Sequence, residues 1–318
     1  MPLLSICSLA KRVKRVFAPI SIWLASTGLA VAAPALSIGV SVSDLGNPYF
    51  VTIANGAKER AQALSGGNAK VSVVSSAYDI GRQVDQIDQF IAQGVDFILL
   101  IASDYEALYD AVLRAKAAGI YVIAVDVKAK GANATVTTAN TQAGEIACEY
   151  LAKSLNYQGN VVIINGPPVS SVLARVKGCL TVFAQYPNLT VLSTDRNAGG
   201  SREGGLETMT YLATKFPKID GAFTINDPTA IGVEQAARIA NRTELKIVSV
   251  DGALVARERL GEPNSLIIGT ASQFPTRMAE TAVDIGYNLM QGNAAPATPV
   301  LIPSELISAE NKNDYTSW

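Results

Sequence analysis

From residue 36 onward the chain alternates apolar runs of strand length with amphipathic segments. The runs are LSIGVSV (36–42), KVSVVSS (70–76), DFILLIA (96–102), YVIAVDV (121–127) and NVVIING (160–166). They continue as LTVLST (189–194), GAFTIND (221–227), KIVSVDG (246–252) and LIIGTAS (266–272). Between them Gln83, Val84, Ile87, Phe90 and Ile91 recur at helical spacing, as do Leu108, Val112 and Ala115. Continuous apolar strands separated by helices predict parallel sheets covered on both faces. Gly94 and Gly119 stand just before the next strand, where a glycine ends a helix. So many strands exceed the usual sheet of about five or six. A division near residues 138–141 therefore predicts two α/β halves, each opening strand–turn–helix, and Pro296, Pro299 and Pro303 break up the tail.

The stretch SVSDLGNPYF (41–50) ends the first strand and opens a helix. Gly46 and Asn47 let the chain turn, and Pro48 starts the helix where its missing N–H costs nothing. Tyr49 and Phe50 then fall at the carboxyl end of a strand, where open α/β sheets bind ligands. Two rings beside an amide suit a flat molecule with apolar faces and a polar rim, as many sugars and cyclic polyols are; the alternative is that one or both are core.

Composition narrows the picture. The chain has 318 residues, 49% hydrophobic and 17% charged, enough for two domains. Residues 1–33 read as a secretory signal peptide: Lys11, Arg12, Lys14 and Arg15 precede an apolar run that finishes in Ala30-Val31-Ala32. Cleavage is expected between Ala32 and Ala33, the alternative being a retained anchor, and no later stretch is apolar enough to span a bilayer. The signal carries four of the 26 basic residues and none of the 27 acidic ones, so its removal leaves a net charge of −5. That argues against a nucleic-acid partner. There are no histidines, which removes the commonest general base and metal ligand together. No Gly-x-Ser-x-Gly and no phosphate-cradling glycine loop after the first strand is present. The expectation is no enzyme, no cofactor and no metal. Of the three cysteines, Cys7 leaves with the signal. Cys148 and Cys179 lie on expected helices that flank the same strand, and in an oxidising compartment they either pair or stay as small buried hydrophobes.

Seven fragments then carry a resemblance. NPYF, GVDFILLIASD, VIAVD, ARVKG, INDPTAIG, VSVDG and ASQFP stand in the order and spacing of periplasmic sugar-binding proteins of the ribose-binding type. The match runs from about residue 36 to residue 307, nearly the whole exported chain. The resemblance implies a type I periplasmic binding protein: two similar Rossmann-like lobes with parallel sheets, joined by a three-strand hinge, with a ligand between them. Crossings are expected near Thr138/Ala139, Gln273/Phe274 and Leu301/Ile302. Lobe I would be residues 34–138 plus 274–301, and lobe II residues 139–273 plus 302–318. Such proteins hand a sugar or polyol to an inner-membrane ABC permease and its ATPase, and some also signal to chemoreceptors. A periplasmic monomer is expected; the alternative is a sensor partner that binds a small signalling molecule without transport. A transcriptional repressor with a related core would need an N-terminal helix-turn-helix, and the N-terminus reads as a signal instead.

The resemblance assigns ligand contacts to Asn47, Tyr49, Phe50, Asp126, Arg175, Asn226, Asp251 and Gln273. Each makes chemical sense: a strand-end carboxylate accepts two hydroxyl hydrogen bonds, and a guanidinium fork donates to a ring oxygen and a neighbouring hydroxyl together. Asp227 reads as a helix N-cap. Asp44, Ser103 and Asp104 lie at other strand ends as secondary candidates. Two positions depart from the pattern. Val127 stands where the ribose-binding type often has Arg, and Gly200 stands where a ring is expected from lobe II. Both argue for a ligand other than ribose itself: another pentose, a hexose or a polyol.

Overall fold

The apolar runs assemble into two six-stranded sheets. The computed structural model describes residues 1–2, 36–315 and 318; the signal segment expected over residues 1–33 lies outside them apart from its first two residues. The first sheet holds β1 (Ser37–Val42), β2 (Lys70–Ser75), β3 (Phe97–Leu100), β4 (Tyr121–Val125), β5 (Ala134–Thr138) and β11 (Val300–Ile302). Their order is β11-β5-β4-β3-β1-β2, and every pair is parallel. Helices α1 (Pro48–Leu64), α2 (Ile80–Gln93), α3 (Tyr109–Ala117) and α9 (Pro275–Met290) cover it.

The second sheet repeats the plan with β6 (Gly159–Asn165), β7 (Leu189–Asn197), β8 (Gly221–Thr224), β9 (Lys246–Asp251), β10 (Ile267–Ser272) and β12 (Leu306–Ser308). Its order is β12-β10-β9-β8-β6-β7, parallel except for β12, which runs antiparallel to β10. Helices α4 (Asn140–Ser154), α5 (Ser170–Phe183), α6 (Arg202–Lys215), α7 (Asp227–Ile239) and α8 (Leu254–Arg259) cover it. The chain crosses between sheets at Ala139, at residues 273–274 and at residues 303–305. The third crossing comes later than the expected Leu301/Ile302, because Ile302 still pairs with Thr138 in the first sheet.

Burial explains the apolar runs. Ile38, Val40, Phe97, Leu99 and Ile123 are fully buried in the core of the first lobe. The second sheet buries Ile163, Phe223 and Val250 on one face, and Val162 and Ile247 on the other. In each sheet the strand order reverses at one point, beside β1 and beside β6. At such a switch point the loops beyond the carboxyl ends part and leave a crevice. Among the described residues no helix is long and apolar enough to cross a membrane.

Two glycines set the distance between α4 and α5. A Cβ on Gly144 would lie 2.0 Å from the carbonyl oxygen of Arg175, and one on Gly178 would lie 2.1 Å from that of Thr141. No larger residue allows the backbones this close. Cys148 and Cys179 sit on the same two helices, both fully buried, with Cα atoms 5.2 Å apart and their sulfurs joined in a disulfide.

Candidate functional site

Eight residues scattered from position 47 to position 273 line one cavity between the two sheets. They are Asn47, Tyr49, Phe50, Asp126, Arg175, Asn226, Asp251 and Gln273, every ligand contact expected from the sequence. Ser43, Tyr78, Val127, Pro167, Ser171 and Gly200 complete much of the wall. The cavity volume is about 60 Å³, on a measure in which one water takes roughly 10–15 Å³. That is space for about four to six waters, the size of one small sugar or polyol.

The first wall comes from the switch point of the first sheet. Asn47 Oδ1 accepts from the Tyr49 amide at 3.0 Å and so caps α1. This fixes the first helical turn, where Tyr49 and Phe50 meet edge to face with ring centroids 5.4 Å apart. The Tyr49 hydroxyl lies 2.9 Å from Asp126 Oδ1 and 3.1 Å from Gln273 Oε1. Tyr49 is therefore anchored by its polar end, and only its ring face is left for stacking. Asp126 follows β4 with φ 65°, a left-handed conformation that turns the chain at the strand's end. Thr137 Oγ1 donates to the Asp126 carbonyl oxygen at 2.5 Å and holds that turn.

The second wall is built on Arg175, a cation only 4% exposed. The close approach of α4 and α5 brings Arg175 Nε to Asn140 Oδ1 at 2.8 Å, while Nη1 donates to the Ile225 carbonyl oxygen at 2.7 Å. Nη1 also lies 3.8 Å from Asp251 Oδ1. Asp251 Oδ1 accepts from Gln273 Nε2 at 2.7 Å, and Gln273 Oε1 accepts from Thr138 Oγ1 at 2.8 Å. The polar groups of both sheets thus form one network through the hinge. Asn226 caps α7 by accepting from the Thr229 amide at 3.1 Å, and its Nδ2 donates to the Gly200 carbonyl oxygen at 2.8 Å. Asp227, expected as that cap, is the first helical residue instead. Its carboxylate accepts from Ser249 Oγ, from Thr270 Oγ1 at 2.7 Å and from the Ala253 amide at 2.8 Å.

Burial pushes the carboxyl of Asp126 above its ordinary pKa, against the pull of Arg175 and the Tyr49 hydrogen bond. Asp251 is raised by burial and then by the neighbouring Asp227, with Arg175 opposing. Asp227 is raised by burial, while the Ser249 and Thr270 hydroxyls oppose. Burial therefore disfavours an unpaired charge in this site. Two polar groups still have capacity: among the described residues, Asp126 Oδ2 and Arg175 Nη2 take no protein hydrogen bond. A ligand that offers hydroxyls as donor and acceptor satisfies both.

The secondary candidates lie elsewhere. Asp44 accepts from the Gly46 amide, Asp104 from the amides of Glu106 and Ala107, and Ser103 shares a hydrogen bond with Ser76. They shape loops and do not line the cavity. The sequence places Thr138 only at a crossing and does not reach Asn140, because β5 is a threonine-rich strand that carries no apolar run. Tyr78, three residues beyond the end of β2, is missed as well, although the strand-end rule used for other loops applies there too. Trp318 is a further aromatic, edge-on to Tyr49 with centroids 5.4 Å apart and its Nε1 donating to the Asp251 carbonyl oxygen at 3.2 Å. No motif announced it.

Known proteins share this architecture. The chain is 29% identical over 269 residues to the xylitol-binding protein of Mycolicibacterium smegmatis, covering 83% of this chain and 75% of that one. It is 28% identical over 265 residues to the ribose import binding protein of Bacillus subtilis, covering 82% and 84%. A solved ABC transporter periplasmic solute binding protein of Actinobacillus succinogenes, with bound D-allose, superposes with a TM-score of 0.81 at 26% identity, covering 88% of this chain and 100% of that one. The periplasmic binding protein domain matches residues 38–294. With two α/β lobes, their switch points facing one polar cavity, the chain belongs to the periplasmic binding protein domain family.

Proposed function

We propose that the protein captures one sugar or polyol in the cavity between its sheets, in the periplasm, and delivers it unchanged to an ABC importer of the inner membrane. The observation that carries this is the pair Asp126 Oδ2 and Arg175 Nη2, an acceptor and a donor without protein partners among the described residues, on opposite walls of one small cavity. Asp251 and Gln273 add further polar atoms, and Phe50 and Tyr49 supply apolar ring faces. Hydroxyls on an apolar carbon frame match that set, whereas a carboxylate ligand would face Asp126 and Asp251. Relatives that bind xylitol or import ribose support the same ligand class and favour import over sensing. Both walls come from one chain, so a monomer suffices. Val127 removes one donor and Gly200 removes one ring from the ribose pattern, which favours a polyol or a different sugar over ribose.

A thermal-shift series with xylitol, D-ribose, D-allose and a wider set of pentoses, hexoses and polyols tests the reading. A true ligand at 100 times its Kd stabilises the fold by about 2.7 kcal/mol, and mass spectrometry should recover it unaltered. If no sugar or polyol in the set raises the melting temperature, the proposal fails.

A further inference from the structure

The ring missing at Gly200 has a substitute on the other lobe. Tyr78 lies in the loop between β2 and α2 and lines the same cavity as Asp126, Arg175 and Gly200. It is 40% exposed, which places it at the mouth rather than in the core. Its backbone is in the left-handed region at φ 60°, directly after Ala77 at φ 51°. A tyrosine in that conformation is strained, and such strain persists only where surrounding structure holds it. The Tyr78 amide donates to the Ser43 carbonyl oxygen at 3.1 Å, and the Asp79 amide donates to the Ser76 carbonyl oxygen at 3.0 Å. Asp79 then caps α2 by accepting from the Arg82 amide at 2.7 Å. The loop is thereby pinned to the end of β1, beside the other ligand-facing residues of the first sheet. Among the described residues the Tyr78 hydroxyl has no protein hydrogen bond.

We infer that Tyr78 is a specificity-determining ligand contact: its ring covers the outward face of the bound sugar or polyol, and its hydroxyl pairs with a ligand hydroxyl at the mouth. The opposite rim, at Gly200, Pro167 and Val169, presents no aromatic ring, so the outer cover comes from the first lobe. Burial and the carboxylates of Asp126 and Asp44 push the Tyr78 phenol well above its ordinary pKa, so it stays a hydrogen-bond donor across the physiological range. A ligand with a hydroxyl at that edge gains a partner, and a deoxy analogue at the same position does not. This inference rests on the sugar or polyol reading of the cavity.

Calorimetry with the best-binding compound among xylitol, D-ribose and D-allose decides it. Tyr78→Gly removes the ring and relieves the left-handed strain together. It should leave the melting temperature of the unliganded protein unchanged or raised while weakening binding by about 10- to 100-fold. Tyr78→Phe keeps the ring and should weaken binding about 3- to 10-fold, as one neutral hydrogen bond does. Affinities of both variants within twofold of wild type overturn the inference while leaving the sugar reading intact. If wild-type protein binds none of the three compounds, nor any other in the wider set, the sugar reading falls and this inference with it.

Discussion

At the scale of single residues the site divides its polar groups between holding and offering. Asn47 and Asn226 spend their carbonyl oxygens on helix caps, and Tyr49 spends its hydroxyl on Asp126 and Gln273. Asp126 keeps one oxygen in reserve. Asp126→Asn tests that reserve, because asparagine tolerates the left-handed backbone and can still accept from Tyr49. It loses the charge and one acceptor, so binding should weaken by about 1.5–3 kcal/mol, the worth of a hydrogen bond to a charged group. The fold should hold, since the substitution also relieves a carboxylate that burial disfavours. Calorimetry giving an affinity within threefold of wild type would remove Asp126 from the ligand contacts. All eight of these residues are legible in recognisable sequence fragments, most of them at strand ends or helix starts, and the structure brings all eight to the wall of one cavity. What was not legible was their internal bonding. Which oxygen of Asp126 stays free depends on Tyr49 reaching it across 77 positions of sequence, and no local pattern carries that.

At the scale of elements, nine apolar runs became nine strands, and the misses have a physical pattern. Three of the five residues of β5 are threonine, while β11 and β12 are three residues each. Such segments are strands because a neighbour pairs with them, not because of their own composition. β7 extends past its apolar part to Asn197 for the same reason: Arg196 and Asn197 still pair with Ile164 and Asn165 of β6. Helix contacts were less legible still. That α4 and α5 touch backbone to backbone at Gly144 and Gly178 emerges only in three dimensions, and that contact sets the position of Arg175. Gly144→Ala places a methyl group against the Arg175 carbonyl oxygen, so the helices must move apart. The expected cost is about 1–3 kcal/mol in urea unfolding, the usual range for overpacking. Ligand affinity should fall too, although residue 144 does not line the cavity, because Arg175 moves with α5. Unchanged stability and affinity together would show that the helix contact has slack the geometry does not suggest.

At the scale of the whole molecule, the two lobes stand in a closed arrangement. The Lys128 amide, just beyond β4, donates to Ser170 Oγ at the start of α5 at 2.8 Å, which ties the lobes directly. Closure brings the carboxyls of Asp126 and Asp251 around one small cavity and leaves each above its ordinary pKa by burial. That desolvation opposes closure, and one hydrogen bond at the mouth, worth about 1 kcal/mol net, offsets little of it. On the proposed reading, ligand hydroxyls would supply the missing partners to Asp126 and Arg175 only when both walls are in place. On that reading the ligand would bind the closed state in preference to an open one, and binding would shift the population toward closure. Three crossings join the lobes, with Gln273 bonded to residues of both sheets, and rotation about such crossings would leave both cores intact. Small-angle scattering should therefore show a smaller radius of gyration once a compound that raises the melting temperature is added to saturation. Asp126→Asn should need more ligand to reach the same compact state, and Gly144→Ala should as well. A radius of gyration unchanged at saturating ligand would mean that the lobes do not hinge, and that ligand enters a cleft already closed.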